Sequence, residues 1–271
     1  MISNNKKLPF RYDNLSETLM ASLNSGILIK NLLNTLLILS NKCSNWNILD
    51  FGSGYGGLTA ALSAEGLHVD SIEINEDVIY GIKYWQLEYS LPFRLNPYYD
   101  FMESPEVLQY DLCILREVLE HIEDINVFFK VLNHSNRIFL TTPNRYSFFL
   151  LPRDPHNFLP IVSMLTNRSI INRSIIWGVV NFLKWSKIGK LNATLNTKLN
   201  NFQHVNLFTT FEIETMLKSH GYTKIMHYSQ EYFKLKNGRK WLYVFSKFLP
   251  RSIWDKFISP AIVIYAEKPN E

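Results

Sequence analysis

The sequence has only two cysteines, Cys43 and Cys113, in 271 residues. Neither has a partner at metal-ligand spacing, and two thiols this far apart make no disulfide framework, so a reducing compartment is expected. Long apolar runs are missing too. No stretch approaches the ~18 uninterrupted apolar residues of a membrane-crossing helix. Met1 to Phe10 carries two lysines but no apolar core, so no secretory signal is expected. No internal repeat is visible. With 46% hydrophobic and 19% charged residues, the chain is neither a disordered tail nor a collagen-like array. What remains is one large α/β domain, or a smaller domain with an elaboration.

The charge is unevenly placed. Residues 1–167 hold 12 basic and 18 acidic residues, whereas residues 168–271 hold 16 basic and 6 acidic. The basic part suits an anionic partner such as a membrane surface, a nucleic acid or a phosphorylated substrate. An ordinary lysine-rich surface is the simpler account.

The apolar spacing predicts a helix over Asp13–Ser40, with Leu15, Leu19, Leu23 and Ile27 at four-residue intervals. Strands are expected at Trp46–Phe51, His68–Ile74 and Tyr110–Leu115, a weak one at Arg94–Tyr99, and another at Arg137–Thr141. Helices are expected between them at Gly57–Ala64, Asp77–Ser90 and Ile125–Leu132. Strands alternating with helices at this pitch imply a doubly wound, mostly parallel sheet covered on both faces. The alternation breaks at residues 144–203, which read as a helical lid or insertion. It resumes with a helix at Thr210–His220, closed by Gly221 as its C′ residue, and strands at Tyr222–Tyr228 and Ala261–Ala266. The expected organisation is an N-terminal helical segment, 1–45, followed by one domain, 46–271.

The central motif is Leu49-Asp50-Phe51-Gly52-Ser53-Gly54-Tyr55-Gly56-Gly57, between a strand and a helix. Glycines there allow a tight turn and let backbone N–H groups approach a ligand. Glu73 ends the next strand, where a carboxylate accepts both hydroxyls of a ribose. Gly52-x-Gly54-x-x-Gly57 also fits a dinucleotide fingerprint. Asp50, however, would repel a pyrophosphate, whereas it suits a ligand carrying an ammonium and a sulfonium. Gly56 gives the tighter Gly-x-Gly-x-Gly form. Arg116-Glu117-Val118-Leu119-Glu120-His121 has no counterpart in a dehydrogenase core.

With LDFGSGYGG (49–57), Glu73, YDLCILREVLEHIED (110–124), RIFLTTPN (137–144), HVNLFTTFEIETMLKSHGY (204–222) and AIVIYAEKP (261–269), the sequence resembles the class I S-adenosylmethionine (SAM)-dependent methyltransferases. The resemblance is to the group acting on quinone precursors, sugars and other small molecules. It implies a seven-stranded Rossmann-like sheet with an antiparallel last strand, and SAM as methyl donor. By resemblance, Asp50, Gly52, Ser53 and Gly54 contact the amino-acid end of SAM, and Arg116, a further cofactor-binding candidate, ends a strand beside the expected methyl position. Glu73 holds the ribose, Ile74 packs on the adenine, and Asp100 meets the adenine amino group.

An oxygen or nitrogen acceptor can need to lose a proton, and a nearby general base speeds that transfer. His204 and His121 are the candidates, each with an alternative as a loop-packing histidine. Arg116, Tyr146 and His156 are candidate acceptor contacts; Arg116 has the alternative of pairing with Glu117 or Glu120. No residues suggest a metal site. The expected acceptor is a small molecule or a glycan- or lipid-linked one. Segments 168–190 and 241–257 mix apolar bulk, tryptophan and cations, which suits either a membrane interface or a lid packed on the core. The expected location is cytoplasmic, with peripheral membrane contact left open. A methyltransferase-fold protein without turnover is one alternative. An RNA-modifying enzyme is another, although no base-stacking groove or RNA module is readable.

Overall fold

The structure is a computed structural model that describes residues 15–39, 45–88, 90, 92–103, 109–144, 208–235 and 240–269. The elements in order are α1 (Leu15–Thr35), β1 (Asn47–Phe51), α2 (Gly57–Ser63), β2 (His68–Glu73), α3 (Glu76–Glu88), β3 (Arg94–Pro97) and α4 (Tyr98–Glu103). There follow β4 (Leu112–Arg116), a 3-10 turn (Leu119–His121), α5 (Ile125–Asn133) and β5 (Arg137–Pro143). From residue 208 onward come α6 (Thr210–Ser219), β6 (Lys224–His227), α7 (Ser229–Leu235), α8 (Lys240–Ser246), α9 (Arg251–Ile253) running into a π-helical turn (Trp254–Ile258), and β7 (Ala261–Glu267).

The seven strands form one sheet in the order β3-β2-β1-β4-β5-β7-β6. All pairs from β3 to β5 are parallel, and β7 runs antiparallel to both of its neighbours. Side chains alternate between two cores, as the two-residue period of a strand requires. Ile48, Leu112, Ile114, Val263 and Tyr265 face the layer of α1, α2, α7 and α8. Leu49, Phe51, Cys113, Leu115, Ile262 and Ile264 face the layer of α4, α5 and α6. Asp50 shares the parity of Ile48 and therefore points toward α2.

The strand expected at Arg94–Tyr99 stops at Pro97, and Tyr98 already begins α4. Proline offers no N–H to extend the ladder. The last strand is antiparallel as expected, and Gly221 has φ +86, the left-handed C′ residue of α6. At its start, α6 is closed by a reciprocal capping box between Thr209 and Glu212. The described residues between Ser229 and Ile258 form three helices and a π-turn, of which the sequence patterns indicated only an apolar-basic mixture. The 168–190 segment lies outside the described residues, as does most of the expected 144–203 insertion.

Helix α1 does not stand apart from the sheet. Leu19, Ile29, Leu32 and Leu33 are buried in the same core as Ile48 and Leu58. Its stripe includes Gly26, which meets Gly57 at the start of α2. A Cβ on Gly26 would lie 2.4 Å from the Gly57 carbonyl, and one on Gly57 would lie 2.2 Å from the Ser22 carbonyl. The two backbones therefore touch where any side chain would separate them.

Candidate cofactor site

The turn from β1 into α2 is held from every side. The N–H groups of Gly52 and Ser53 both donate to the Ile72 carbonyl, at 2.8 and 3.1 Å. Ser71 Oγ donates to Ser53 Oγ at 2.7 Å. Trp85 Nε1 on α3 donates to the Tyr55 carbonyl at 2.8 Å, and Gly57 N donates to Ser22 Oγ on α1 at 3.2 Å. These bonds fix the loop before any ligand arrives. Gly54 has φ +56, and a Cβ built there would meet no atom within 4 Å. The loop is thus open to a ligand at the residue where the motif expects contact.

Glu73 lies at the C-terminal end of β2. Its Oε2 accepts from Gly54 N at 2.8 Å, and its Oε1 accepts from Ile74 N and Asn75 N, each at 2.9 Å. A carboxylate has about four lone-pair sites, so one acceptor site remains uncommitted. Ile74 beside it is 57% exposed, an apolar side chain left uncovered next to the carboxylate. Asp100 falls within α4, directly after β3; its backbone alone is described.

Asp50 is placed differently from a carboxylate lying open on the loop. It is 2% exposed and accepts from Thr59 Oγ1 on α2 at 2.7 Å. Burial raises its pKa above the ordinary carboxylate value, with the Glu73 charge adding to the rise. The Thr59 hydrogen bond and the Arg116 charge oppose it. Asp50, Glu73 and Arg116 therefore share one electrostatic neighbourhood around the loop.

Arg116 ends β4, and its Nη1 donates to Ser25 Oγ on α1 at 2.7 Å. It is bound to α1 and not to Glu117 or Glu120, the pairing that sequence proximity allowed. Glu117 has φ +54, a left-handed conformation costly for a side chain of this kind. Its N–H donates to the Thr141 carbonyl at 2.8 Å. Glu120 is 1% exposed and accepts from Thr142 Oγ1 at 2.9 Å, while its Oε1 has no hydrogen-bond donor. Burial, then the Glu117 carboxylate, push Glu120 well above the usual carboxylate range. His121 follows on the 3-10 turn, partly exposed, at the same end of the sheet. Tyr146, His156 and His204 lie outside the described residues.

Sequence reasoning passed over Ser22, Ser25 and Gly26, which bring α1 to the loop and to Arg116. The available signal was a glycine on the apolar stripe of an otherwise regular helix, where it costs about 1 kcal/mol relative to alanine. The recess lined by Asn47, His68, Asp70 and Arg94 lies at the N-terminal ends of β1 and β2. It is at the edge opposite Gly54, far from the loop.

A glycine-turn between β1 and α2, an acidic end to β2 and the strand order with its reversed seventh strand together define a class I SAM-dependent methyltransferase fold. The comparisons agree. A family described as "Methyltransferase domain" matches residues 20–227, and the chain belongs to that family. A ubiquinone biosynthesis O-methyltransferase from Pseudomonas savastanoi pv. phaseolicola (strain 1448A / Race 6) is 30% identical over 131 residues, 41% of this chain and 56% of that protein. One of the same description from Xylella fastidiosa (strain 9a5c) is 26% identical over 134 residues, 42% of this chain and 54% of that protein. The chain thus spans about half the length of the curated relatives it matches. Among solved structures, magnesium protoporphyrin IX methyltransferase from Synechocystis PCC 6803 with bound SAH (S-adenosylhomocysteine) aligns with TM-score 0.51. Its identity is 13%, and the alignment covers 92% of this chain and 86% of that one. That likeness concerns the fold.

Proposed function

We propose that the protein transfers a methyl group from SAM to an oxygen of a small-molecule acceptor with an apolar or lipid-linked body. The observation that carries this reading is the intact donor cradle: a pre-fixed glycine turn, open at Gly54, with the Glu73 carboxylate alongside. The names of the curated relatives support an oxygen acceptor.

When bound, SAM supplies a methyl already activated on a sulfonium. The chain's task is then mainly to position, and holding two groups in line accounts for ~7–11 kcal/mol of a barrier. In the proposed arrangement the Gly52–Gly54 backbone receives the amino-acid end of the donor, and Asp50 supports it from below through its charge. Glu73 takes the ribose hydroxyls, and Ile74 and Asp100 flank the adenine. An acceptor oxygen held in line with that methyl would take it up and give up its own proton. The acceptor proton passes to a base, for which His204 and His121 are the candidates, a contribution of roughly 10²–10⁴-fold. Arg116, Tyr146 and His156 are the proposed acceptor contacts. A membrane-associated acceptor fits the apolar-basic character of the last third.

The test is incubation with SAM and a set of phenolic acceptors, with and without an attached prenyl chain, read by mass spectrometry as gain of one methyl. Methylation of the prenylated phenols in preference to the bare ones is expected. SAM binding without methylation of any oxygen acceptor would remove the catalytic reading and leave a methyltransferase-fold binding protein.

A further inference from the structure

We infer that α8 and the turn after it form a docking face for an anionic lipid bilayer. This deepens the lipid-linked acceptor reading, and its biological purpose rests on that reading. The face belongs to the single excursion from Ser229 to Ile258 between β6 and β7. Because β6 runs parallel to β1–β5, the excursion leaves the sheet at the edge where Gly54 and Arg116 lie. It returns there, with Ala261 paired to Pro143. It is anchored at that edge by Asn144 N donating to the Pro260 carbonyl at 3.2 Å and Thr210 Oγ1 donating to the Asp255 carbonyl at 3.0 Å.

The inner face of α8 is conventional: Leu242 and Ser246 are buried. The outer face is not. Trp241, Val244, Phe245 and Phe248 recur at the three- and four-residue spacing of one helix face. They are 53%, 55%, 41% and 79% exposed. The helical turn continues through Leu249 by bonds from Lys247 N, Phe248 N and Leu249 N to carbonyls three residues back, so Phe248 stays on that face. Ile253 on α9 is a further exposed apolar residue, at 43%. A water-facing helix has polar residues at such positions.

Charge selects the occupant. Residues 240–253 contain Lys240, Lys247 and Arg251 and no carboxylate. Arg251 is engaged by Glu231 and Asp255, which leaves Lys240 and Lys247 facing solvent beside the ridge. Lys247 Nζ sits 4.7 Å over the Tyr243 ring. Aromatic and aliphatic bulk flanked by lysines on long stems suits a bilayer interface, with rings among the acyl chains and ammonium groups at anionic headgroups. A two-fold contact with a second copy would instead bring the same lysines together with no carboxylate from this stretch to pair them. The excursion that carries this face begins and ends at the sheet edge of the donor cradle.

The full chain, sedimented with phosphatidylcholine vesicles with and without phosphatidylglycerol, tests this. Binding to the anionic vesicles that weakens with salt is expected. Val244→Ser with Phe248→Ser should lower the apparent affinity at least about tenfold, since both side chains lose their burial in lipid. Lys247→Glu should lower it at least roughly fivefold. Both variants should keep the wild-type thermal transition and SAH affinity. Absence of vesicle binding overturns the inference. So does binding unaffected by Val244→Ser with Phe248→Ser, or a change of oligomeric mass in that variant in place of lost lipid binding. Failure of wild-type protein to bind SAH would count against the methyltransferase reading alone, because vesicle binding does not depend on it.

Discussion

Replacing Glu73 by alanine is the most informative single perturbation of the donor cradle. The carboxylate holds three backbone N–H groups, from Gly54, Ile74 and Asn75, and one of its roughly four acceptor sites remains uncommitted. A ribose offers two hydroxyls. One takes the open site at full strength, and the second must share with or displace an amide. A hydrogen bond to a charged group contributes about 1.5–3 kcal/mol. The loss on Glu73→Ala is therefore between one and two such bonds, centred near 3 kcal/mol, which is about a hundredfold in Kd. The three amides left behind are close to solvent and turn to water, so the fold itself loses only ~1 kcal/mol. Isothermal titration with SAH measures the first quantity and thermal unfolding the second. An affinity within about fivefold of wild type, in a protein that melts normally, would refute the assignment of Glu73 to the ribose, because even one such bond is worth more than tenfold.

Gly54→Ala and Gly66→Ala form a matched pair. Both sites have positive φ and open space for a Cβ, so each should cost about 1–2 kcal/mol in stability; only Gly54→Ala should also weaken SAH binding in titration. Gly26→Ala should lower the unfolding midpoint in urea by the equivalent of at least ~1–3 kcal/mol, because the added methyl overlaps the Gly57 backbone. The raised pKa of Asp50 gives a pH test. Its folded-state value lies above the ordinary 3.8, so the unliganded fold loses its contribution as pH rises between those two values. The cationic donor needs the ionised form, so donor affinity falls as pH drops through the folded value. Asp50→Asn should flatten that pH profile in titration. His204→Ala should reduce turnover in the methyl-transfer assay while leaving SAH affinity within a few-fold; loss of SAH binding would remove His204 as the acceptor-side base.

The sheet was readable because its strands are short apolar runs at regular pitch, and the glycine turn because Gly52, Gly54 and Gly56 all have positive φ, which glycine permits at little cost. Glu73 was readable as a strand-end carboxylate, but its three amide partners were not, since they depend on how β2 turns into α3. Local sequence also left Arg116 ambiguous. Its partner, Ser25, lies 91 residues away, and only the crossing of α1 over α2 brings them together. Asp50 was visible as an acid beside glycines, yet strand parity turns it under α2 to Thr59. The helices between β6 and β7 gave a weak signal because Trp241, Val244, Phe245 and Phe248 stay outside the core, which blurs the usual contrast between a buried and a solvated face.

What enters the cradle between Gly54 and Glu73 decides what the protein does. Isothermal titration of the full chain with SAH and, separately, with NAD measures this directly. Saturable one-to-one binding of SAH, abolished or strongly weakened in Glu73→Ala, with no heat from NAD, is the predicted result. Binding of NAD with none of SAH would contradict it.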